Sequence, residues 1–319
     1  MTWKKYGLGL LAAAAFTGCS KDDGPNVERV PPRDLAEVAA ENEADIREYL
    51  QTHCYNYEDF ANPPAGFDFR IRIDTLAGDN AGKTPLIEQM ETQVIVVNYE
   101  QLGLSGDSGD VPHTLYYLEA RQGEGVSPTV ADSVLVNYEG LTLQGKTFDG
   151  VSNYVWQHLP NYLRGYQNAM AQWNAGTSDQ LVQNPDGTSG YANSGVGLMV
   201  MPSGLAYFNS SPSSIPAYSS LVFKVELGRI IENTDADGDG IPSIIEDLNG
   251  NNYLYDDNTD KKKEESGFGG VLIPNFLDSD DDGDGTPTRN EIVIGEDGSL
   301  SFPDSNGNGI PDYLDPDTK

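Results

Sequence analysis

Three stretches near the C-terminus share one spacing, and that spacing leaves a chain little freedom. In Asp235-Ala236-Asp237-Gly238-Asp239-Gly240, carboxylates stand at loop positions 1, 3 and 5, Gly at 6, and Glu246 at 12. The same count gives Asp280, Asp282, Asp284, Gly285 and Glu291, and then Asp304, Asn306, Asn308, Gly309 and Asp315. Alternate residues of a tight loop aim their oxygens to one side while Gly takes the sharp turn. Ca2+ asks for six to eight such hard oxygens about 2.3–2.6 Å away. Position 7, here Ile241, Thr286 and Ile310, would add a backbone carbonyl in each loop. Residues 233–319 hold 22 Asp and Glu against 5 Lys and Arg, so −17 of the net charge of −31 lies in this tail. Without a cation, mutual repulsion should leave it extended. The plainer reading, an acidic disordered tail, does not call for Gly at position 6 each time.

The stretch Asp247-Leu248-Asn249-Gly250-Asn251 offers further oxygens, and Lys261 to Glu265 reads as a solvated insertion. Ile-Pro pairs at Ile241, Ile273 and Ile310 stop any long flanking helix. The tail thereby departs from a paired EF-hand and resembles thrombospondin type 3 repeats, which wrap calcium with little other core.

At the other end, Lys4 and Lys5 precede an apolar run, Leu8 to Phe16, and then Phe16-Thr17-Gly18-Cys19. The run is too short to remain as a membrane span. Its Gly-Cys ending resembles the bacterial lipobox, which implies loss of residues 1–18 and a lipid on Cys19. The plainer alternative is an ordinary signal peptide with an incidental cysteine. Ser20-Lys21-Asp22-Asp23 is similar to the export signal of some surface lipoproteins, and it is also what any flexible tether would contain. The expected location is the bacterial envelope, lipid-anchored at the outer membrane. Apart from Cys19 only Cys54 remains, so no intramolecular disulfide is expected. The negative charge argues against nucleic acid as a partner.

Composition divides the chain into a leader (1–18), a tether (19–33), an α/β extension (34–112), a central domain (113–232) and the acidic tail (233–319). Apolar residues at three- and four-residue spacings predict a helix over 34–52, with Asp34 as N-cap. Alternation of Phe67, Phe69, Ile71 and Ile73 with charged residues predicts a strand over 66–74. Strands are also expected over 94–99 and 114–119. His53 beside Cys54 has no second pair at ligand spacing, and the two read as structural or surface residues.

From residue 115 the pattern becomes short strands around one helix-like stretch, 162–173, which predicts an α+β domain with a bent antiparallel sheet. Here Gly123-Glu124-Gly125, Asp132 to Gly140, and Gly145-Lys146-Thr147-Phe148-Asp149 resemble the opening of FKBP-type peptidyl-prolyl isomerases. Tyr162-Leu163-Arg164-Gly165-Tyr166, Pro202 to Tyr207 and Ile215 to Leu227 resemble later segments of that family in the same order. The resemblance covers about 110 residues of this chain.

It implies a proline pocket of Tyr138, Phe148, Tyr166 and Phe223, with Leu163 and Ile215 at its walls and Tyr162 at the helix entry. Asp149 would face the twisted amide, and the Tyr207 hydroxyl and Leu163 N–H would hold substrate carbonyls. Such an enzyme needs no cofactor. The amide barrier is about 18–20 kcal/mol, and the X-Pro isomers lie within about 1 kcal/mol of each other, so a dry pocket favouring the twisted amide suffices. The expected partners are proline-containing polypeptides.

Three departures stand out. Tyr166 replaces the family's Trp and brings a hydroxyl that needs a partner. Phe208 replaces a Gly. Residues 178–196 look inserted. Two other functions compete with the isomerase: a non-catalytic proline-binding module, and a structural or adhesive surface lipoprotein whose calcium repeats carry the function.

Overall fold

The computed structural model describes residues 31–183, 187, 189–212, 214–267 and 270–319. The leader, Cys19 and residues 184–186 within the 178–196 stretch lie outside them. The first element, α1 (Leu35–Thr52), starts where the sequence places it, with Asp34 Oδ1 accepting the Glu37 N–H at 2.9 Å. β1 (His53–Tyr55), α2 (Tyr57–Ala61) and β2 (Ile73–Thr75) follow, with β1 and β2 paired antiparallel.

The strand expected over 66–74 is largely absent. Phe69 has φ +53°, which breaks the extended run. Phe67 and Phe69 instead pack on Phe60 and on each other, with centroids 5.0–6.2 Å apart. The Asn56 side chain takes over the backbone pairing by accepting from Arg72 N–H and donating to the Arg70 carbonyl. Cys54 is a buried free thiol and His53 stacks on Tyr49, a structural role for both.

The main sheet is built from β3 (Glu91–Val97), β4 (Val111–Arg121), β5 (Ser133–Thr142), β6 (Thr147–Gly150) and β7 (Val155–His158). After α3 (Arg164–Met170) and a small hairpin of β8 (Leu181–Gln183) and β9 (Ser189–Tyr191), it is completed by β10 (Gly195–Met201) and β11 (Leu221–Ile231). The antiparallel order is β3-β4-β10-β11-β5-β6, with β7 also on β5. The predicted α+β class with an antiparallel sheet holds, and the sheet takes in strands from both sides of residue 112.

The middle strand explains why the sheet has two covered faces. Every residue of β10 is buried. Met199 and Met201 face a core shared with Tyr166, Trp173 and Phe223, on the α3 side. Val196, Leu198 and Val200 face a second core with Ile46, Leu50, Tyr55 and Leu86 of the extension. Gly197 lets the Trp173 indole lie on the strand, since a Cβ there would come within 2.4 Å of the ring. The extension thus caps the far face of the sheet. It also reaches the near side: Asn42 on α1, 5% exposed, accepts from Ser203 N–H and Oγ–H and donates to the Tyr218 carbonyl.

The tail has little regular structure. Short 3-10 turns follow Pro242, Pro274, Pro287 and Pro311, and among the described residues no longer helix flanks the loops. The 261–265 stretch forms a short helix, α4 (Lys261–Ser266), and β12 (Val293–Ile294) pairs with β13 (Leu300–Ser301). None of its residues is buried, as expected of a solvated stretch, and α4 is also tied in: Glu264 accepts from Ile273 N–H and Asn258, and Lys261 pairs with Glu100. The tail docks on the central domain through Leu254 and Phe276, which pack with Val130 and Ala131.

Candidate active site and candidate cation loops

The sheet turns Phe223 of β11 toward α3, and α3 turns Tyr166 toward Phe223, with ring centroids 5.3 Å apart at 73°. Phe148 of β6 stands edge-on to Phe223 at 5.5 Å, an approach that needs Gly140, where a Cβ would fall within 3 Å of both rings. Tyr138 of β5 lies 6.4 Å from both Tyr166 and Phe223. Ile215 shares this core, with Leu163 packed against it. Tyr166, Phe223 and Ile215 are buried, Tyr138 and Phe148 half-buried, and Tyr162 and Tyr207 exposed. This is an apolar floor with a polar rim.

Asp149 sits on that rim. Its carboxylate accepts from the Tyr138 hydroxyl at 2.8 Å and from Gly150 N–H at 2.8 Å. Burial, then the hydrogen bond and charge of Asp149, pushes the Tyr138 phenol above its usual range. Burial and the same charge raise Tyr162 and Tyr207. Three hydroxyls of the predicted set therefore feel one carboxylate. Leu163 is the N-cap residue of α3, at the entry to the pocket.

The departures from the family pattern resolve in physical terms. The Tyr166 hydroxyl donates to Gln157 Oε1 at 2.9 Å, with both residues buried. Gln157 lies on β7, nine residues upstream, and no spacing in the sequence points to it. Phe208 adopts φ +44°, is buried, and packs edge-on to Tyr218 at 5.2 Å, so the loop after Tyr207 is plugged where a Gly would leave it open. The β8–β9 hairpin packs through Tyr191 on Tyr154 and beside Gly228, toward the far end of β11 from Phe223.

A cleft of about 490 Å3 lies elsewhere, on the face opposite Phe223, among Arg70, Asn137, Glu139, Lys224 and Glu226. Its walls carry the Lys224–Glu139 ion pair, and Tyr138 is the one predicted site residue on them. A smaller one of about 190 Å3 adjoins the aromatic floor, where Tyr162, Leu163 and Ala206 meet Tyr253 and Tyr255 of the tail.

In the tail, loop folding brings the predicted carboxylates together. Oxygens of Asp235, Asp237 and Asp239 lie within 4.8 Å of one another, as do those of Asp280, Asp282 and Asp284. Position 6 is left-handed in each loop, with φ +103° at Gly240, +96° at Gly285 and +93° at Gly309. The N–H at position 7 is held by the side chain at position 5: Ile241 by Asp239, Thr286 by Asp284, Ile310 by Asn308. In the third loop Asn306 and Asn308 both donate to Asp315, and Asp304 accepts from Gly309 N–H.

Position 12 differs among the loops. Glu246 is 1% exposed with both oxygens unpartnered, and it meets Asp239 together with Asp281. Asp281, also 1% exposed with both oxygens unpartnered, comes from the second loop and lies outside the predicted ligand set. Burial, reinforced by neighbouring carboxylates, pushes Glu246 up to about 10 and Asp281 up to about 9. Burial and the Asp282, Asp284 and Asp280 charges push Glu291 up to about 7. Buried oxygens without donors are what a hard cation requires and what a bare protein core disfavours. Asp260, Glu264 and Asp278 form another carboxylate group outside the predicted loops.

Comparison with known proteins divides along the same line. The chain is 33% identical over 116 residues to the FKBP-type peptidyl-prolyl cis-trans isomerase FkpA of Escherichia coli K12, covering 35% of this chain and 36% of FkpA. FkpA of Escherichia coli O157:H7 gives the same figures. The chain thus spans about a third of the length of the curated relatives it matches. Among solved structures, E. coli FkpA matches at 23% identity over 61% of both chains with a TM-score of 0.32. A peptidyl-prolyl cis-trans isomerase from Pseudomonas syringae pv. tomato matches at 24% identity over 36% of this chain and 74% of its own, with a TM-score of 0.30. Residues 236–303 match the family described as BamM C-terminal. Similarity to FKBP-type isomerases is therefore present in part of the chain, and the tail has a separate affinity.

Proposed function

We propose that the chain is a peptidyl-prolyl cis-trans isomerase of the bacterial envelope, with a calcium-binding tail. The observation that carries this reading is the apolar floor of Tyr166, Phe223, Phe148 and Ile215 beneath a rim where Asp149 is held by the Tyr138 hydroxyl. The floor would take a proline ring and exclude water. A planar amide loses its resonance as it twists, leaving a more basic nitrogen and a ketone-like carbonyl. The Leu163 N–H and Tyr207 hydroxyl would hold substrate carbonyls, and the Asp149 carboxylate would face the twisted amide, favouring that state over the planar one. The sequence similarity to FkpA supports this reading.

The envelope location rests on the Lys4 to Cys19 pattern. The calcium reading rests on the unpartnered buried oxygens of Asp239, Glu246 and Asp281. When bound, the ion would neutralise these carboxylates and let the loops close. A non-catalytic proline-binding module is the second reading, favoured by Phe208 plugging the loop beside Tyr207.

The deciding experiment is isomerisation of a short proline peptide by the full chain, with Asp149→Ala and Phe148→Ala as controls. Each substitution should lower kcat/KM about tenfold or more with the circular dichroism spectrum unchanged. Peptide binding with no rate above the uncatalysed background would select the binding module.

A further inference from the structure

Between the first and second predicted loops, the chain makes a related turn, with Asn252 in place of Gly at position 6 and the position-5 amide oxygen of Asn251 left without the position-7 N–H. Asp247, Asn249 and Asn251 stand at positions 1, 3 and 5. Asn251 N–H donates to Asn249 Oδ1, and Asn252 N–H donates to Asp247 Oδ2 at 2.9 Å, as Gly240 N–H does to Asp235 Oδ2 at 3.0 Å. Gly250 and Asn252 have φ +69° and +59°, the left-handed residues found at positions 4 and 6 of the first loop as Gly238 and Gly240. Asn is one of the few side chains that tolerates this.

Shape alone would be an acidic turn, but the loop closes on a group that needs something more. Asp257 is 6% exposed, its Oδ1 accepts from Asn249 Nδ2 at 3.0 Å, and its Oδ2 is buried without a donor. Asn251 Oδ1 is likewise buried and unpartnered. Asp256 accepts from Asn249, from Asn251 and from Gln101. Two buried acceptors without donors, the Asp257 carboxylate oxygen and the Asn251 amide oxygen, are costly in a turn that also holds Asp247 and Asp256, and a hard cation would relieve that cost.

The same turn grips the entry to the aromatic pocket. Tyr253, at position 7, lies under the Arg164 guanidinium at 4.7 Å, and Arg164 is the first residue of α3, directly after Leu163. Arg164 Nη1 donates to Gln101 Oε1 at 2.9 Å, and Gln101 in turn donates to Asp256 at 2.7 Å and accepts the Tyr253 hydroxyl on its carbonyl. Tyr255 donates to Asn161.

We infer that Asp247–Asp257 is a further site for a divalent hard cation of the calcium class, and that its occupancy fixes the Tyr253–Arg164 contact holding the start of α3. This rests on the calcium reading of the tail for the choice of ion, and not on isomerase activity.

The test uses the full chain, freed of metal by chelator and dialysis, with calcium alone as probe. Bound calcium is counted by equilibrium dialysis, and backbone hydrogen exchange is followed by mass spectrometry. Calcium at ten times its dissociation constant should slow exchange about tenfold in 247–257 and in 159–168, with one shared midpoint. The double variant Asp247→Asn, Asp257→Asn should bind one ion fewer and lose the effect in 159–168, while 235–246 and 280–291 still respond. An unchanged ion count, or indifference of 159–168 to calcium in the unmodified chain, overturns the proposal. Should the variant fail to fold, the unmodified chain decides alone: separate midpoints for the two segments overturn the proposal, and a common one supports it. Calcium bound at 235–246 and 280–291 but not at 247–257 defeats this inference and spares the wider tail reading; no calcium anywhere defeats both.

Discussion

The central domain and the tail solve opposite problems. The central sheet is ordered by dry contact: β10 is buried on both faces, and Trp173, Tyr166 and Met199 are 2% exposed or less. The tail buries Asp239, Glu246, Asp281 and Asp282 nearly as deeply, while its own apolar cluster is little more than Ile241, Ile292 and Tyr313. Apolar surface gains from leaving water, whereas a carboxylate loses unless a cation or donor meets it. The central sheet should therefore be indifferent to ions, apart from the entry to α3 that the 247–257 turn contacts, and the tail should depend on them.

Chelation should separate the two regions most strongly. Removing calcium is expected to expand the tail and expose it to protease beyond residue 233, while the far-ultraviolet signal of the sheet persists. Scattering and limited proteolysis with and without chelator would show this, and an unchanged profile would defeat the calcium reading.

Trp173→Ala attacks the other side of the comparison. It should cost the central domain about 3–5 kcal/mol in a denaturant titration, and equally with or without calcium.

Tyr166→Phe sharpens the contrast at a single buried polar pair. It strands Gln157 Oε1, so stability should fall by about 1–3 kcal/mol. Peptide binding should survive, because the aromatic face remains. Asp34→Ala removes only the N-cap of α1, an expected loss of about 1 kcal/mol in the same titration.

Much of this architecture is legible in the sequence alone, wherever the cause is local. Helix α1 announces itself through periodicity and a capping Asp34, and the loops through spacing and Gly, because each is decided within a few residues. The 66–74 strand fails for the converse reason. Alternation there reflects an aromatic cluster with Phe60, and Phe69 turns left-handed to reach it. Asp281 escapes a reading by spacing because its partners, Asp239 and Glu246, belong to another loop. Its only trace is the unbroken run Asp280-Asp281-Asp282, one carboxylate more than the alternating pattern uses. Gln157 and the capping of the far sheet face by the extension are also contacts between distant segments. Among the predicted pocket residues, the family pattern names the aromatics and Asp149, but their assembly depends on β5, β6, β11 and α3 meeting in space.

That extension holds a free thiol. Cys54 is the lone cysteine among the described residues, 1% exposed on β1, and burial raises its pKa. An alkylating reagent can reach it only when the extension opens around β1, so its labelling rate is a clock for that local opening, readable in the native protein with no residue introduced.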